Sequence, residues 1–380
     1  MPIKSICIIS EGYPYGNDPS FSFVEQLVVA FSNNGIKCTV ISPQSVSKLV
    51  LRRKKTRPLK WVKHTSGLDI DIYQPLFVSL GSQCPDALYK LAYNGYINAA
   101  VNTWKRHSIQ ADVFYGHFWK SGIVAGRMAR QFNKPAFVAC GESSITFFNK
   151  IRKEYFQKDL DHIAGIISVS SENLQKCESL GLAAGKKQIV LPNGIDGTLF
   201  RKEDKKQARK KIGADDNDFI VAFLGAFIER KGPNRVAQAI STQNGIKSIF
   251  IGKGDLQPEC EGIIFKGALK HDDIPTYLNA ADVFVLPTLA EGCCNAIIEA
   301  MACGLPVISS ALPFNDDILN DDYSIRVNPK SIEDISEAIV KLRNDVQLRD
   351  KMSRNAQMFA SNLDINMRAK RIVDFMESSL

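Results

Sequence analysis

Short apolar runs alternate with amphipathic stretches along the whole chain, and this alternation restricts the possible folds more than any other feature. The first two runs are SICIIS at 5–10 and KCTVIS at 37–42, and the stretch between them has helical apolar spacing. Gly35 follows that stretch, where a left-handed residue commonly ends a helix. Strands that alternate with helices are typical of a parallel sheet covered by helices, so the sequence predicts an α/β fold.

The alternation restarts in the second half of the chain. The first set of runs closes at the turn-rich LPNGIDGTLF (191–200), which precedes a charged run at 201–211. A new set begins with DFIVAFLGAF at 218–227. We therefore predict two similar α/β domains, at 1–195 and 196–364, with a C-terminal helix at about 365–380 that packs back on the first domain.

Composition excludes several classes of protein. The 380 residues are 45% hydrophobic and 23% charged, which is typical of a globular protein and not of a disordered or collagenous chain. No apolar run approaches the roughly 18 residues of a membrane span, and the apolar start is too short for a signal peptide. The nine cysteines form no C-x-x-C pair, which predicts reduced thiols in a cytoplasmic protein and neither a disulfide framework nor a zinc site.

One segment is strongly basic. Between 48 and 63 there are eight basic residues and no acidic one: Lys48, Arg52, Arg53, Lys54, Lys55, Arg57, Lys60 and Lys63. The segment is either a solvated loop or a contact with an anionic membrane surface, where each cation contributes roughly 1 kcal/mol. Trp61, Val62 and the apolar run at 49–51 favour a membrane over nucleic acid.

Two carboxylates flank the start of a predicted helix near residue 295. VFVLP at 283–287 reads as a strand, so Glu291 lies in a loop at its carboxyl end and Glu299 lies in the following helix. Ligands of open α/β sheets bind at such ends, and a helix N-terminus attracts anions. Carboxylates accept hydroxyl hydrogen bonds, so the pair fits a ligand with phosphate and sugar parts. The alternative is that Glu291 caps the helix and Glu299 lies on the surface.

The loop GAFIERKGPN at 225–234 is a second candidate anion site. It also leads from a strand into a helix, and it carries Arg230 and Lys231 where a helix dipole disfavours cations. An anion bound there would explain them better than a solvated pair. The chain lacks a Walker A loop, a dinucleotide fingerprint and a metal-ligand cluster, so we expect a phosphate held without metal.

His117 ends another predicted strand, in the first domain. A lone histidine is commonly structural, but this one is expected at a strand end that faces a crevice between the domains. Both interpretations stay open from the residues alone.

Several segments match one protein family. The strongest match is the stretch from IGKGDLQ to PVIS (251–309), and others are GAFIERKG at 225–232, VSSENLQK at 169–176 and the stretch from DVFYGH to ACGES (112–143). On these residues the chain resembles glycosyltransferase family 4 over nearly its whole length. The resemblance implies the GT-B fold, with two facing Rossmann-like domains, parallel sheets and a donor cleft between them.

The resemblance also implies roles for individual residues. It implies that Glu291 hydrogen-bonds the donor sugar, Glu299 binds the nucleotide ribose, Arg230 and Lys231 neutralise the diphosphate, and His117 contacts the donor hexose. Further donor-side positions that it implies are Gly225, Gly252, Gly267, Ala268, Gly292, Cys293, Cys294 and Asn295.

The chain departs from the family pattern at two positions. Ala226 stands where many members have arginine, and Arg230 is the candidate to supply part of that charge. Phe21 stands where the first loop often has glycine, within the acceptor-side loop that the resemblance places at Gly16, Ser20 and Ser22.

The resemblance implies a retaining hexosyltransferase that uses a nucleotide-diphosphate sugar without metal or other cofactor. UDP is the favoured base on family frequency, and the expected acceptor is a glycan or lipid-linked glycan of polysaccharide biosynthesis. We expect a cytoplasmic enzyme with no nucleic-acid partner, and peripheral attachment to the inner face of the membrane if the basic segment binds anionic lipid. The alternatives are a nucleotide-sugar epimerase or isomerase of the same fold and a catalytically silent binding subunit.

Overall fold

The computed structural model describes residues 2–16, 18, 20–51, 56–80 and 84–380. In these ranges the strands are β1 (Ser5–Ile9), β2 (Lys37–Ile41), β3 (Gln44–Ser45), β4 (Lys60–Lys63), β5 (Ile70–Tyr73), β6 (Leu76–Phe77), β7 (Val113–His117), β8 (Ala136–Cys140), β9 (Ile163–Ser168), β10 (Lys187–Val190), β11 (Phe219–Leu224), β12 (Ile246–Ile251), β13 (Ile263–Gly267), β14 (Val283–Leu286), β15 (Val307–Ser310) and β16 (Ser324–Val327).

The α-helices of the same ranges alternate with these strands. They are α1 (Ser22–Asn33), α2 (Val46–Leu51), α3 (Asp86–Arg106), α4 (Trp119–Phe132), α5 (Gln157–Leu160), α6 (Ser171–Ser179), α7 (Lys205–Ile212), α8 (Pro233–Ser241), α9 (Ile274–Ala280), α10 (Asn295–Ala302), α11 (Ile332–Asn344), α12 (Val346–Ala360) and α13 (Ile365–Ser378). Short 3-10 turns lie at Phe147–Asn149, Lys153–Phe156, His271–Asp273, Pro313–Asn315 and Ser361–Leu363.

The chain divides into two compact units. The first contains Met1–Leu191 and Ile365–Leu380, and the second contains Pro192–Asp364. The division therefore falls at 191/192, whereas the sequence predicts it at 195/196. The reason is a backbone contact within the second unit, where the Ile195 N–H donates to the Leu363 carbonyl at 2.8 Å.

The first unit is built on an eight-stranded sheet in the order β10-β9-β8-β7-β1-β2-β5-β4. Its strands are parallel except the edge strand β4, which runs antiparallel to β5, a feature that the predicted parallel alternation does not include. β3 and β6 form a separate two-stranded parallel sheet. The predicted α/β class with parallel sheets is confirmed, and the antiparallel edge is added to it.

The pleat of β1 separates the two cores of the first unit. Cys7 and Ile9 pack in one buried cluster, and Ile6 and Ile8 pack in the other. Successive side chains of a strand point to opposite faces, so each cluster covers one face of the sheet. The C-terminal helix α13 belongs to the second cluster and packs against α1.

The second unit is built on a six-stranded parallel sheet in the order β13-β12-β11-β14-β15-β16. Buried side chains of these strands and of helices α8 to α12 form one continuous core. Because all six strands run parallel, their carboxyl ends meet at one edge, and the loops that follow β11, β12, β13 and β14 lie there.

Candidate functional site

The loop from 287 to 294 holds the first of the two predicted carboxylates at the carboxyl end of β14. The Glu291 side chain is only 12% exposed. Thr288 donates its hydroxyl hydrogen to Glu291 Oε1 at 2.7 Å, and the Ser310 hydroxyl donates to the Thr288 carbonyl. The loop and the neighbouring strand β15 thus hold Glu291 in one orientation.

Two cations of the loop after β11 converge on the same carboxylate oxygen. Lys231 Nζ lies 2.6 Å and Arg230 Nη1 lies 2.8 Å from Glu291 Oε1. The Arg230 guanidinium also donates to the Ala290 carbonyl. Among the described residues, none donates a hydrogen bond to Glu291 Oε2. Two cations and one anion leave one positive charge, and the free oxygen can accept a hydroxyl from a ligand.

Burial and charge act in opposite directions on Lys231. Burial lowers the pKa of its ammonium group, but the charges of Cys294 in its thiolate form and of the Glu291 carboxylate outweigh burial, and the net pKa is raised. Burial raises the pKa of the Cys294 thiol to about 11. At neutral pH Lys231 is therefore charged and Cys294 is a neutral thiol.

The predicted anion-binding segment lies at the N-terminus of α10. Gly292 and Cys294 are buried, and Cys294 is the residue immediately before the helix. Asn193 donates to Asn295 Oδ1 at 2.7 Å and to the Cys293 carbonyl at 3.4 Å. The first N–H groups of a helix have no acceptor within the helix, so this end can bind an anion beside Glu291.

The second carboxylate has a partner that sequence reasoning missed. Glu299 lies in α10 with a 12% exposed side chain, and His271 Nε2 lies 3.5 Å from its Oε1. The hydrogen bond to Glu299 raises the pKa of His271 above its ordinary value. The His271 ring packs edge-on against Phe200, with centroids 5.1 Å apart. The alternative that Glu299 lies on the surface is therefore wrong.

The glycine-lined loops lie beside one another at the ends of β11, β12 and β13. The Gly225 N–H donates to the Ile251 carbonyl at 2.9 Å, and the Gly252 N–H donates to the Gly267 carbonyl at 2.8 Å. A Cβ atom on Gly252 would lie 1.9 Å from the Gly225 carbonyl oxygen, so the approach of these loops requires glycine there. Ala268, after β13, is exposed.

Ala226, which replaces the family arginine, is exposed in the loop after β11. The side chain proposed to compensate, Arg230, is bound to Glu291 and to the Ala290 carbonyl.

His117 ends β7 in the first unit and is 8% exposed. Its Nδ1 is buried and has no hydrogen-bond partner among the described residues. Burial, assisted by the charge of Arg368, lowers the pKa of His117 to about 3, so the ring is neutral at ordinary pH. Phe118 follows with φ 68° and ψ 159°, a strained combination for a residue with a side chain. An unpaired buried polar atom beside strained backbone is typical of a functional position.

The acceptor-side loop precedes α1. Gly16 has φ 57°, and the Ser20 hydroxyl donates to Asp18 Oδ1 at 2.6 Å. Ser22 is the first residue of α1. Phe21 adopts the left-handed conformation, φ 66° and ψ 27°, so it retains the backbone form that glycine favours despite its side chain.

The first unit contains a partly buried carboxylate, that of Glu142, to which the sequence analysis assigned no role. Glu142 follows β8 and accepts a hydrogen bond from the Trp119 N–H, the start of α4, at 2.6 Å. Burial raises the pKa of Glu142 to about 7. Lys120, next along α4, pairs with Glu11 at 2.5 Å. The strand-end position that singled out Glu291 would have identified Glu142 and Glu11 as well.

The basic segment is only partly a loop. Residues 52–55 lie outside the described residues, and α2 and β4 lie on either side of them. Lys63 pairs with Glu25 at 2.7 Å, and Arg57 pairs with Asp18 at 2.7 Å. Trp61, expected to contribute apolar surface, instead packs near Tyr13 and Tyr15 and donates to Gln74 Oε1 at 3.1 Å.

All nine cysteines are free thiols, and the sulfur atoms of Cys140 and Cys177 lie 3.3 Å apart. The described residues contain no group of three or more His, Cys, Asp or Glu side chains that could hold a metal ion. Within the described ranges, every helix falls short of the length and hydrophobicity that a bilayer crossing requires.

Comparison with known proteins gives one family match and several relatives. Residues 204–359 match the family described as "Glycosyl transferases group 1". The chain is 25% identical over 354 residues to a protein of Bacillus subtilis strain 168 named as a teichuronic acid biosynthesis glycosyltransferase. That alignment covers 89% of this chain and 88% of the relative.

Solved structures extend the comparison to the fold. Sucrose-phosphate synthase from Thermosynechococcus elongatus matches with a TM-score of 0.78 at 18% identity, over 99% of this chain and 98% of that one. Anabaena HepE, solved in complex with UDP-glucose, matches with a TM-score of 0.70 at 18% identity, over 98% of this chain and 99% of that one.

Proposed function

We propose that this chain, a glycosyltransferase with the GT-B fold, transfers a hexose-type sugar with retention from a nucleotide diphosphate. Its residues 204–359 form a Glycosyl transferases group 1 domain. UDP is the favoured base, and the complex of Anabaena HepE with UDP-glucose supports it. The acceptor is a glycan or lipid-linked glycan of polysaccharide biosynthesis, which the teichuronic acid relative supports.

One observation carries this proposal. Lys231 and Arg230 meet at a single oxygen of Glu291, 2.6 Å and 2.8 Å away, beside the N-terminus of α10. A diphosphate needs cations and N–H donors, whereas a sugar needs a carboxylate acceptor. The site offers both within one pair of neighbouring loops.

The proposed chemistry uses no protein nucleophile and no metal. The bond from the sugar anomeric carbon to the diphosphate oxygen breaks, and the acceptor hydroxyl oxygen bonds to that carbon on the same face. The hydroxyl proton passes to the leaving diphosphate. Arg230, Lys231 and the N–H groups from Gly292 to Asn295 stabilise the negative charge that grows on the diphosphate.

We propose the remaining donor contacts from the family resemblance. Glu291 accepts sugar hydroxyls through its free oxygen, and Glu299 accepts the ribose hydroxyls. His117 is neutral and unpaired, which suits a hydrogen bond to an uncharged hexose. The base docks at Gly267 and Ala268, where Ala268 is exposed at the end of β13.

Replacement of Lys231 by Ala tests the site. Loss of a charge that acts on the leaving diphosphate should lower kcat/KM by about 10²- to 10³-fold, which corresponds to roughly 3–4 kcal/mol. The measurement is steady-state transfer and donor hydrolysis over a panel of UDP- and GDP-sugars.

The matched control is Lys330→Ala, which removes an exposed lysine of the same unit and should leave kcat/KM within twofold. Equal activity of the Lys231 variant and wild type would remove Lys231 from the mechanism. Conversion of the donor to an isomer without any acceptor would instead identify an epimerase or isomerase.

The basic segment supports a further part of the proposal, attachment to an anionic membrane on the cytoplasmic side. Even three or four cations near lipid headgroups would contribute on the order of 3–4 kcal/mol. We expect the protein to sediment with vesicles that contain anionic lipid, less so as salt rises, and not with neutral vesicles. The quadruple replacement of Arg52, Arg53, Lys54 and Lys55 by Ser should abolish sedimentation and spare transfer to a short soluble acceptor. Unchanged sedimentation of that variant would make the segment a solvated surface.

A further inference from the structure

The carboxylate that follows β8 holds the start of α4. Glu142 Oε1 accepts a hydrogen bond from the Trp119 N–H at 2.6 Å, and Glu142 Oε2 accepts one from the Gly141 N–H at 3.1 Å. Hydrogen bonds to an ionised carboxylate are shorter and stronger than those between neutral groups. One side chain therefore joins the first residue of a helix to the loop after the neighbouring strand.

Helix α4 lacks the residues that commonly stabilise a helix start. Phe118, the residue before it, has no polar side-chain atom, and its first turn at 119–122 contains no acidic residue. The first N–H groups of a helix have no acceptor within the helix, and an anion near that end is stabilising. Glu142, 23 positions after Trp119, supplies both the acceptor and the charge.

The backbone between β7 and α4 is strained and depends on such support. Phe118 has φ 68° and ψ 159°, a combination that persists in a residue with a side chain only where surrounding contacts hold it. Its N–H donates to the Ala139 carbonyl at 2.9 Å, and a Cβ atom on Gly141 would lie 3.3 Å from its ring. Phe118 is thus held between β8 and the loop that Glu142 binds.

The position of the His117 ring depends on this backbone. Its Nδ1 has no hydrogen-bond partner among the described residues. Its ring neighbours are aromatic, with centroid distances of 4.6 Å to Phe118, 5.4 Å to Phe23 and 6.2 Å to Tyr115. Apolar contacts are non-directional, so they fix a side chain less closely than hydrogen bonds do. The strained turn that follows His117 therefore decides where its ring lies.

The loop that carries Glu142 is itself anchored to α6. The Glu142 carbonyl accepts a hydrogen bond from Asn173 Nδ2 at 2.7 Å, and the Ser143 carbonyl accepts one from Lys176 Nζ at 3.3 Å. Asn173 is buried, and its N–H donates to Ser170 Oγ, the cap of α6, at 3.2 Å. A residue can position another accurately only when its own place is fixed, and Glu142 meets this condition.

We propose that Glu142 positions His117, because its carboxylate holds the first turn of α4 and thereby the turn at Phe118 that sets the His117 ring. The inference rests on the proposed function in one respect, that His117 contacts the donor sugar. Glu142 is a positioning residue and not a catalytic one, since it acts through the backbone of α4.

The protonation state of Glu142 should affect this arrangement. Burial raises the pKa of Glu142 to about 7, although the N–H groups that it accepts act in the opposite direction. Above that pH the carboxylate is ionised and accepts both N–H groups strongly, whereas below it one oxygen carries a hydrogen and accepts weakly. We therefore expect the His117 ring to shift as pH falls through about 7.

Other ionisable groups lie on the elements around Glu142. They are His117 of β7, Cys140 of β8, Lys120 of α4 with its partner Glu11, and Cys177 and Lys176 of α6, the latter with its partner Glu172. Burial lowers the pKa of His117 to about 3, and the contact with Cys177 raises that of Cys140 well above its ordinary value, so both are neutral near pH 7. Glu142→Gln separates a titration of Glu142 from that of any neighbour, because glutamine does not ionise.

The first test follows the His117 ring of the whole protein by NMR between about pH 5 and pH 9. The His117 signal is the one absent from His117→Ala. Wild type and the matched control Glu178→Gln, which removes an exposed carboxylate of α6, should show a change with a midpoint of about 7. Glu142→Gln should show none. A constant His117 signal in wild type, or the same midpoint in Glu142→Gln, would overturn the proposal.

A double-mutant cycle tests whether Glu142 acts through His117. Donor hydrolysis is measured at about pH 8 with UDP-glucose, and then with the panel of UDP- and GDP-sugars. Glu142→Gln should lower kcat/KM at least about fivefold, and the double variant should stay within about twofold of His117→Ala. Losses that multiply would overturn the proposal, as would unchanged activity of Glu142→Gln.

The two tests separate this inference from the proposed function. Failure of wild type on every donor would refute the proposed function, whereas the NMR titration still decides whether Glu142 sets the His117 ring. Circular dichroism and melting temperature check that each variant folds. If Glu142→Gln does not fold, the wild-type titration alone can still overturn the proposal.

Discussion

At the scale of single residues, the two carboxylate oxygens of Glu291 differ in their contacts. Its Oε1 accepts hydrogen bonds from Thr288, Arg230 and Lys231, and each donor atom lies within 2.8 Å of it. A bound diphosphate need not displace Oε1 from either cation, since Arg and Lys carry further donor hydrogens. We infer that the cations move little when donor binds and that Glu291 is left with its second oxygen for the sugar.

Glu299 gives a prediction at the same scale, through His271. The hydrogen bond to Glu299 raises the pKa of His271, so its stabilising effect is fully present below the unfolded value near 6.5 and is lost as pH rises through the raised folded value. Glu299→Gln should move the His271 pKa back toward about 6.5. An NMR titration of the His271 ring protons measures the change.

The control is Glu337→Gln, which removes an exposed carboxylate on α11 and should leave the His271 titration unchanged. If Glu299 is the ribose ligand, free UDP should also bind Glu299→Gln more weakly than wild type. A variant that binds free UDP like wild type would remove Glu299 from the nucleotide site.

Between single residues and the whole chain, the elements that matter are the strand-end loops of the second unit. These loops approach so closely that backbone meets backbone, as at Gly252 and Gly225. Close approach leaves little room for movement, and rigid loops hold a site more accurately than mobile ones.

Gly252→Ala should destabilise the second unit. The added Cβ would lie 1.9 Å from the Gly225 carbonyl oxygen, and only a backbone shift can relieve that contact. Overpacking of this kind costs about 1–3 kcal/mol or more, which chemical denaturation measures. Gly225→Ala is the matched control, because its Cβ would have its nearest contact at an ordinary 3.5 Å. Equal stability of the two variants would mean that the loop backbones shift at little cost in the free energy of unfolding.

At the scale of the whole molecule, the chain leaves the first unit after Leu191 and re-enters it at Ile365. The last helix, α13, supplies residues such as Ile372 and Met376 to a core cluster whose other buried residues lie between Ile3 and Leu191. The first unit is therefore complete only when the final residues of this chain are in place.

Met376→Ala tests that arrangement. Met376 is 0% exposed, and loss of a buried methionine side chain costs about 2–5 kcal/mol. Met367→Ala, on the same helix with 57% exposure, should change stability by less than about 0.5 kcal/mol. Hydrogen exchange of the β1 and β2 amides measures the effect. Equal protection in both variants would show that α13 contributes little to the first unit.

The sequence by itself determined the alternating elements and the strand-end positions of the polar residues. Gly35, predicted to end the first helix, has φ 77° and lies just beyond it. Hydrophobic period and helix-ending residues are local properties, so they can be read without contacts. The sequence placed Glu291, Arg230 and Lys231 in loops that follow strands, and parallel strands share one carboxyl edge.

Only the tertiary structure decided which partners these residues have. Arg230 and Glu291 are 61 positions apart, and no local pattern predicts that Arg230 and Lys231 both bind Glu291 Oε1. The contact of His271 with Glu299, the antiparallel edge strand β4 and the left-handed Phe21 are of the same kind. Each depends on packing between distant segments, which can override local preference because many contacts together outweigh the roughly 1–2 kcal/mol cost of one strained residue.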